Sequence, residues 1–374
     1  MNFEQLLKFA VDQGASAIHL QAETSPQVRI GGLIRNVEGS PVKAGELKAF
    51  IASIGPKSVG DDIDQSLAVG SIFSTSIGHG RFRCTIFNQI GGPSLVLRVI
   101  PSTIQTIEEL NLPRAVHEMA LASRGLTLVV GPGGSGKSTT LSAMVDVING
   151  ASNQKIVTVE DPVECLHANK KAMITQMEVG RNVASFEHGV RLALQQDADV
   201  IVVGDLRDAV VARMVLSATE GGQKVLAVMT GLYATQVIAR CISFFPPDQR
   251  ETVVSQLAAA LEGVVAQQLA RTRDGKFRPA VEVLRAGAGV SDCIRDNRLR
   301  DLGHHITSRR GGMQSLDQHL MELNRSGVIS GTETMRLAAN PEVVGIELRT
   351  IRQANAGPVP AALELVGSDP GLKP

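Results

Sequence analysis

The run LTLVVGPGGSGKSTTL, residues 126–141, leaves the chain few choices of fold. Leu126 to Val130 form a short apolar strand pattern, the Gly- and Pro-rich stretch after it can continue neither strand nor helix, and a helical pattern restarts at Lys137. The eight residues Gly131 to Ser138 fit GxxxxGK[ST] between a strand and a helix, the context that identifies a phosphate-binding loop. Glycines let backbone N–H groups curl around phosphate oxygens, and the helix N-terminus adds partial positive charge. On this reading Gly131, Pro132, Gly133, Gly134, Ser135, Gly136, Lys137, Ser138 and Thr139 form the nucleotide site. Lys137 reaches the β- and γ-phosphates, and Ser138 ligates Mg²⁺.

Four short apolar runs recur: LTLVV (126–130), IVTV (156–159), VIVV (200–203) and VLAVM (225–229). Near-continuous apolar strands separated by helical stretches predict an α/β domain with a mainly parallel sheet, covered on both faces. Each run ends in glycine or polar residues, and open α/β sheets bind ligands along that carboxyl edge. Asp205, directly after VIVVG, stands where P-loop enzymes place a metal-facing acid, and Glu160, Asp161 and Glu164 in VTVEDPVE add acids at the same edge. An N-cap for a helix after Pro162 would account for Asp161 alone. The base-reading pattern Asn-Lys-x-Asp of guanine-specific P-loop proteins has one near match, Asn169-Lys170-Lys171-Ala172, which lacks the acid. ATP is therefore the expected nucleotide.

Before this domain lies a smaller α+β region. An amphipathic helix with Phe3, Leu6, Leu7, Ala10 and Val11 on one face is expected to stop near Gly14. Two hairpins are predicted, turning at Gly31-Gly32 and near Gly91-Gly92. The second sets Arg83 and Arg98 on one face, either as solvated charges or around a bound anion or carboxylate. Residues 101–113, bounded by prolines, read as a linker. Downstream, a helix from about Asp248 to Leu269, a hairpin at Asp274-Gly275 and a helix in GGMQSLDQHLMELNRSG are expected. The Pro- and Gly-rich tail from about Ala356 is expected to be disordered.

At 374 residues the chain is long enough for two domains. Its 37 basic and 37 acidic residues cancel, and only 3% of residues are aromatic, so neither a phosphate track nor a stacking platform for nucleic acid is expected. The four cysteines form no CxxC pair, which points to a reducing compartment without structural zinc or disulfides. No apolar run approaches the ~20 residues of a membrane span. The pair His304-His305 reads as surface, and Arg207-Asp208 as the start of a helix.

Taken together, VTVEDPVE, DVIVVGDLRD and QMEVG resemble the Asp box, Walker B and QREVG stretches of the type II/IV secretion ATPases, in their pilus-retraction (twitching-motility) branch. The likeness runs through RFRCTIFNQ, FFPPDQR, VVAQQLARTRDGKFRPAVEVL and MQSLDQHLMELNRSGVI, and spans about residues 1–345. The FFP, VVAQQL and DGK wording leans toward PilU-like members. The resemblance implies a PAS-like domain over 1–100, a linker over 101–113, a RecA-like ATPase domain with a helical C-terminal region over 114–352, and a tail over 353–374. It implies a cytoplasmic homo-hexamer, peripheral to the inner membrane, that works on a pilus platform protein there. Glu164 matches the catalytic glutamate of the Asp box, and Arg83 and Arg98 match arginines that the N-terminal domain offers to the nucleotide.

The sequence departs from that pattern at named positions. Asp205 replaces the Walker B glutamate, Gln223 and Thr230 replace two His-box histidines, Met177 replaces the QREVG arginine, and Gln195 replaces an arginine before Walker B. Losing one transition-state donor costs on the order of a hundred- to a thousandfold in rate. Two expectations therefore stand together: an ATPase driving pilus retraction, and a nucleotide-binding ring subunit with little turnover that assists a paralogous retraction ATPase.

Overall fold

The computed structural model describes residues 2–78, 80–100 and 103–355, with side chains of 352–355 excepted. The expected disordered tail falls outside these residues. The N-terminal half builds an antiparallel sheet from β1 (Ala17–Gln21), β2 (Gln27–Ile30), β3 (Leu33–Asn36), β4 (Ser71–Ile77), β5 (Gly80–Gln89) and β6 (Gly92–Ile100), in the order β3-β2-β1-β6-β5-β4. The first helix, Phe3–Asp12, is capped by the Asn2 side chain, and Gly14 comes two residues later with φ +66°. Its buried Leu6, Leu7 and Ala10 join a core with Ile18, Leu47, Ile51 and Leu97. Along β5 the period of two is plain: Phe82, Cys84 and Ile86 are fully buried in that core, while Arg81 and Arg83 face the other way. Arg83 pairs directly with Arg98 across the hairpin.

The second half holds β7 (Gly125–Val130), β8 (Lys155–Glu160), β9 (Met173–Glu178), β10 (Val200–Val203), β11 (Lys224–Met229), β12 (Leu261–Arg271) and β13 (Phe277–Arg285), ordered β13-β12-β7-β11-β10-β8-β9. All neighbours pair in parallel except β12 and β13. The four strands expected from the apolar runs are present, and β11 is buried along its whole length. Apolar side chains fill both faces, with Leu128 and Val203 on one side and Val129 and Val202 on the other. The fold is thus an N-terminal α+β region followed by an α/β region with a mainly parallel sheet, as the sequence predicts.

The helix expected from Asp248 to Leu269 ends at Ala260, and β12 begins at the next residue, Leu261. The apolar run of β12 pairs with β7 on one side and β13 on the other, so tertiary pairing decides what periodicity leaves ambiguous. No helix succeeds Pro162 either. The backbone of 163–167 is held instead by side chains of β9: Glu178 accepts from Val163 N at 2.9 Å, and Gln176 bonds Cys165 O and His167 N at 2.9 Å each. No apolar run in the sequence marks β9. Residues 103–113 are only partly a free linker, because Ile107 and Leu112 are buried in the core of the second half.

Candidate functional site

The parallel registers set Val130, Met229, Val203 and Glu160 near one edge of the sheet. The glycine loop leaves β7 at this edge and enters the helix Lys137–Ala151, whose N-cap Gly136 has φ +87°. That left-handed backbone favours glycine, as it does at Gly134, and it turns successive N–H groups to one side of the loop. Gly133, Gly134 and Thr139 form its exposed rim, whereas Gly131 and Ser135 are buried beneath. Ser135 Oγ is buried without a hydrogen-bond partner among the described residues, a donor aimed into the loop with nothing to meet.

Lys137 Nζ donates to Gly131 O at 2.9 Å and Pro132 O at 2.8 Å, so the ammonium lies across the mouth of its own loop. Burial lowers its pKa, opposed by the charges of Asp205 and Glu164, which places those two carboxylates in the same field. Asp205 is half-buried, and desolvation raises its pKa against Arg207, Lys137 and Arg240. Arg207 reaches Asp205 at 3.5 Å and Asp161 at 4.0 Å, and lies 5.0 Å from the Phe186 ring. Asp208 caps the helix Ala209–Glu220 as expected, while Arg207 joins the acidic edge.

Glu160 ends β8. Burial pushes its carboxyl up to about 7, although it accepts from Thr158 Oγ1 at 2.7 Å and Gln176 Nε2 at 3.3 Å. Glu164 sits four residues on, with Oε1 2.8 Å from Arg83 of β5. Arg81 donates to Val163 O at 2.6 Å and lies 3.9 Å from buried Glu178. Two arginines of the N-terminal sheet therefore hold the acidic loop of the second half. The Arg83–Glu164 pair is about one-third exposed, so it is worth on the order of 0–1 kcal/mol and a phosphate can displace it.

The site thus gathers the glycine loop, Lys137, Ser138, Glu160, Asp161, Glu164, Asp205 and Arg83. Arg98, directly opposite Arg83, differs from it: its side chain is exposed and makes no hydrogen bond or ion pair among the described residues. The Ser138 hydroxyl and the Asp205 carboxylate are hard oxygen donors of the kind Mg²⁺ takes beside phosphate oxygens, and both flank the loop, so these residues fit that ion.

The sequence departures are not all beside this chain's glycine loop. Gln223 precedes β11 and Thr230 comes just after it, so the two positions lie at opposite ends of a six-residue strand, on the order of 20 Å apart. Gln223 donates to Ala198 O at the far edge. Gln195 ends the helix Phe186–Gln195, exposed, three residues before that same Ala198. Met177 turns into the apolar core beside Val183 and Phe186. Of these departures Asp205 and Thr230 stand at the nucleotide edge, while Met177, one residue before that end of β9, turns its side chain into the core.

A family model described as type II/IV secretion system protein matches residues 2–335. The type IV pilus retraction ATPase PilT of Pseudomonas aeruginosa is 35% identical over 343 residues, covering 91% of this chain and 99% of that protein. The type IV pilus ATPase PilU of the same organism is 32% identical over 377 residues, covering 99% and 98%. These identities do not favour the PilU-like side. A crystal structure of the pilus retraction motor PilT with bound ADP has a TM-score of 0.85 at 32% identity, covering 91% of this chain and 98% of that one.

Proposed function

The chain belongs to the type II/IV secretion system protein family, and from that membership we propose that it is the ATP-hydrolysing motor of a type IV pilus machine, acting in retraction. The observation that carries this reading is the contact of Arg83 on Glu164, at 2.8 Å, between the N-terminal sheet and the acidic edge of the ATPase domain. A motor needs its hydrolytic geometry tied to the position of a domain, and here the arginine and the carboxylate come from different halves of the chain.

In the proposed cycle Lys137 leaves the carbonyls of Gly131 and Pro132 for the β- and γ-phosphates. Arg83 exchanges Glu164 for the phosphate charge, and the freed carboxylate orients the attacking water. Ser138 and Asp205 would hold Mg²⁺, which neutralises charge on the phosphates when bound. Arg98, exposed and directly across the hairpin from Arg83, is a second cation that can turn to the phosphate charge in the proposed cycle. Further parts of the proposal are a cytoplasmic homo-hexamer, a membrane platform protein as the element worked upon, and a paralogous retraction ATPase as an additional partner.

A second reading keeps one observation of its own. Thr230 brings no imidazole to the nucleotide edge, which favours a ring subunit of low turnover that assists a paralogue. Surface twitching of a piliated strain lacking the gene separates the two when alleles are returned. The motor reading predicts that the wild-type allele restores twitching and Glu164→Gln does not. Full restoration by Glu164→Gln supports the accessory subunit. Loss of the pili themselves on deletion would overturn retraction in favour of assembly.

A further inference from the structure

Gln267 of β12 comes directly after Ala266, the partner of Val130, and so stands level with the start of the glycine loop. It is 1% exposed, and both ends of its amide are committed to that loop and its helix. Nε2 donates to Ser135 O at 2.6 Å, and Oε1 accepts from the buried Thr140 hydroxyl at 2.6 Å. The packing is equally close: a Cβ on Gly131 would stand 2.5 Å from the backbone O of Gln267, and one on Gly136 would stand 2.8 Å from its side-chain Nε2. An amide supplies donor and acceptor at once; a carboxylate lacks the donor, and an apolar side chain leaves both partners unmet.

The Ser135 carbonyl matters because of what lies across its peptide bond. A trans peptide is planar with C=O and N–H opposed, so a carbonyl held toward Gln267 aims the Gly136 N–H away from β12, to the loop's open side. We infer that Gln267 is a positioning residue for nucleotide binding, whose side-chain amide fixes the Ser135–Gly136 peptide so that the Gly136 N–H meets a phosphate oxygen. The inference rests on the proposed nucleotide site and deepens it, since the strand that links the loop to the C-terminal region then sets the loop's affinity.

The test uses the full-length protein and measures the Kd of a fluorescent ADP analogue together with kcat and KM for ATP. Gln267→Leu is expected to raise Kd and KM about tenfold with a smaller change in kcat. Thr140→Val, which removes one end of the network, should raise Kd in part, and Thr140→Ser, which keeps the hydroxyl, should restore it. Should Gln267→Leu fail to fold, Gln267→Asn, whose shorter amide cannot span both partners, carries the same comparison. A lowered melting temperature with unchanged Kd and KM in the folded fraction would overturn the inference. Wild-type protein that binds ADP but hydrolyses no ATP would instead count against the motor reading, and the Kd comparison would still decide the role of Gln267.

Discussion

At the scale of single residues, Glu160 shows how the site holds charge it cannot easily hydrate. Its folded-state carboxyl lies near 7 against a reference of 4.5, with burial the largest cause. Between those values the folded protein keeps a proton that the unfolded chain has released. The stability this contributes is present below pH 4.5 and is lost as pH rises through 7. Glu160→Gln keeps an acceptor for Thr158 without titrating, so its stability relative to wild type should increase from pH 5 to pH 8, as read from urea unfolding at both. An equal difference at the two pH values contradicts this assignment. The placement of Lys137, Ser138 and Asp205 at one sheet edge was legible in the sequence, because each follows from a short local pattern, a glycine loop after a strand or the end of an apolar strand. Gln176, Glu178 and Gln267 were not, because each acts through a partner fixed only by tertiary pairing, 132 residues away for Gln267 and Ser135. The available signal for Gln267 was a pair of amides inside the otherwise apolar run VVAQQLA.

At the scale of elements, the four apolar runs yielded their strands because fully buried parallel strands carry a continuous apolar pattern. The same pattern misled at β12, where a helix flows directly into a strand with only Gly263 and its register shift to mark the joint, and pairing with β7 and β13 separates them. β9 was missed because half of its sequence MITQME is polar, with neither an apolar run nor a period of two, and it lies at the sheet edge. Lys224, the first residue of β11, anchors another element. Its buried ammonium donates to Met119 O and Ala122 O at 2.7 Å each, at the carboxyl end of the helix Arg114–Leu121, and burial lowers its pKa to about 8. Lys224→Ala leaves two carbonyls unmet and a void beside them, so it should cost on the order of 2 kcal/mol in denaturant unfolding. No measurable loss would mean that the helix end finds other partners.

At the scale of the whole molecule, the two halves meet through charge. Arg81 and Arg83 project from the polar face of the N-terminal sheet onto the loop that carries Glu164, so the group proposed to orient water answers to a domain that binds none of the glycine loop. The hairpin that carries them was legible from its glycines, and the shared face of Arg83 and Arg98 from strand periodicity. Which arginine would find a carboxylate was not, because that depends on how the domains sit. Of the five departures named from the sequence, Asp205 keeps a carboxylate at the nucleotide edge and Thr230 stands at the same edge, while Gln223 and Gln195 lie toward the opposite edge of the sheet and Met177 turns into the core, and this favours a working enzyme. The direct test is Mg²⁺-dependent phosphate release by the purified assembly, compared with its Glu164→Gln variant. A working motor releases phosphate about a hundredfold or more faster than that variant. Release no greater than that of Glu164→Gln, with ATP still bound, would contradict the motor reading.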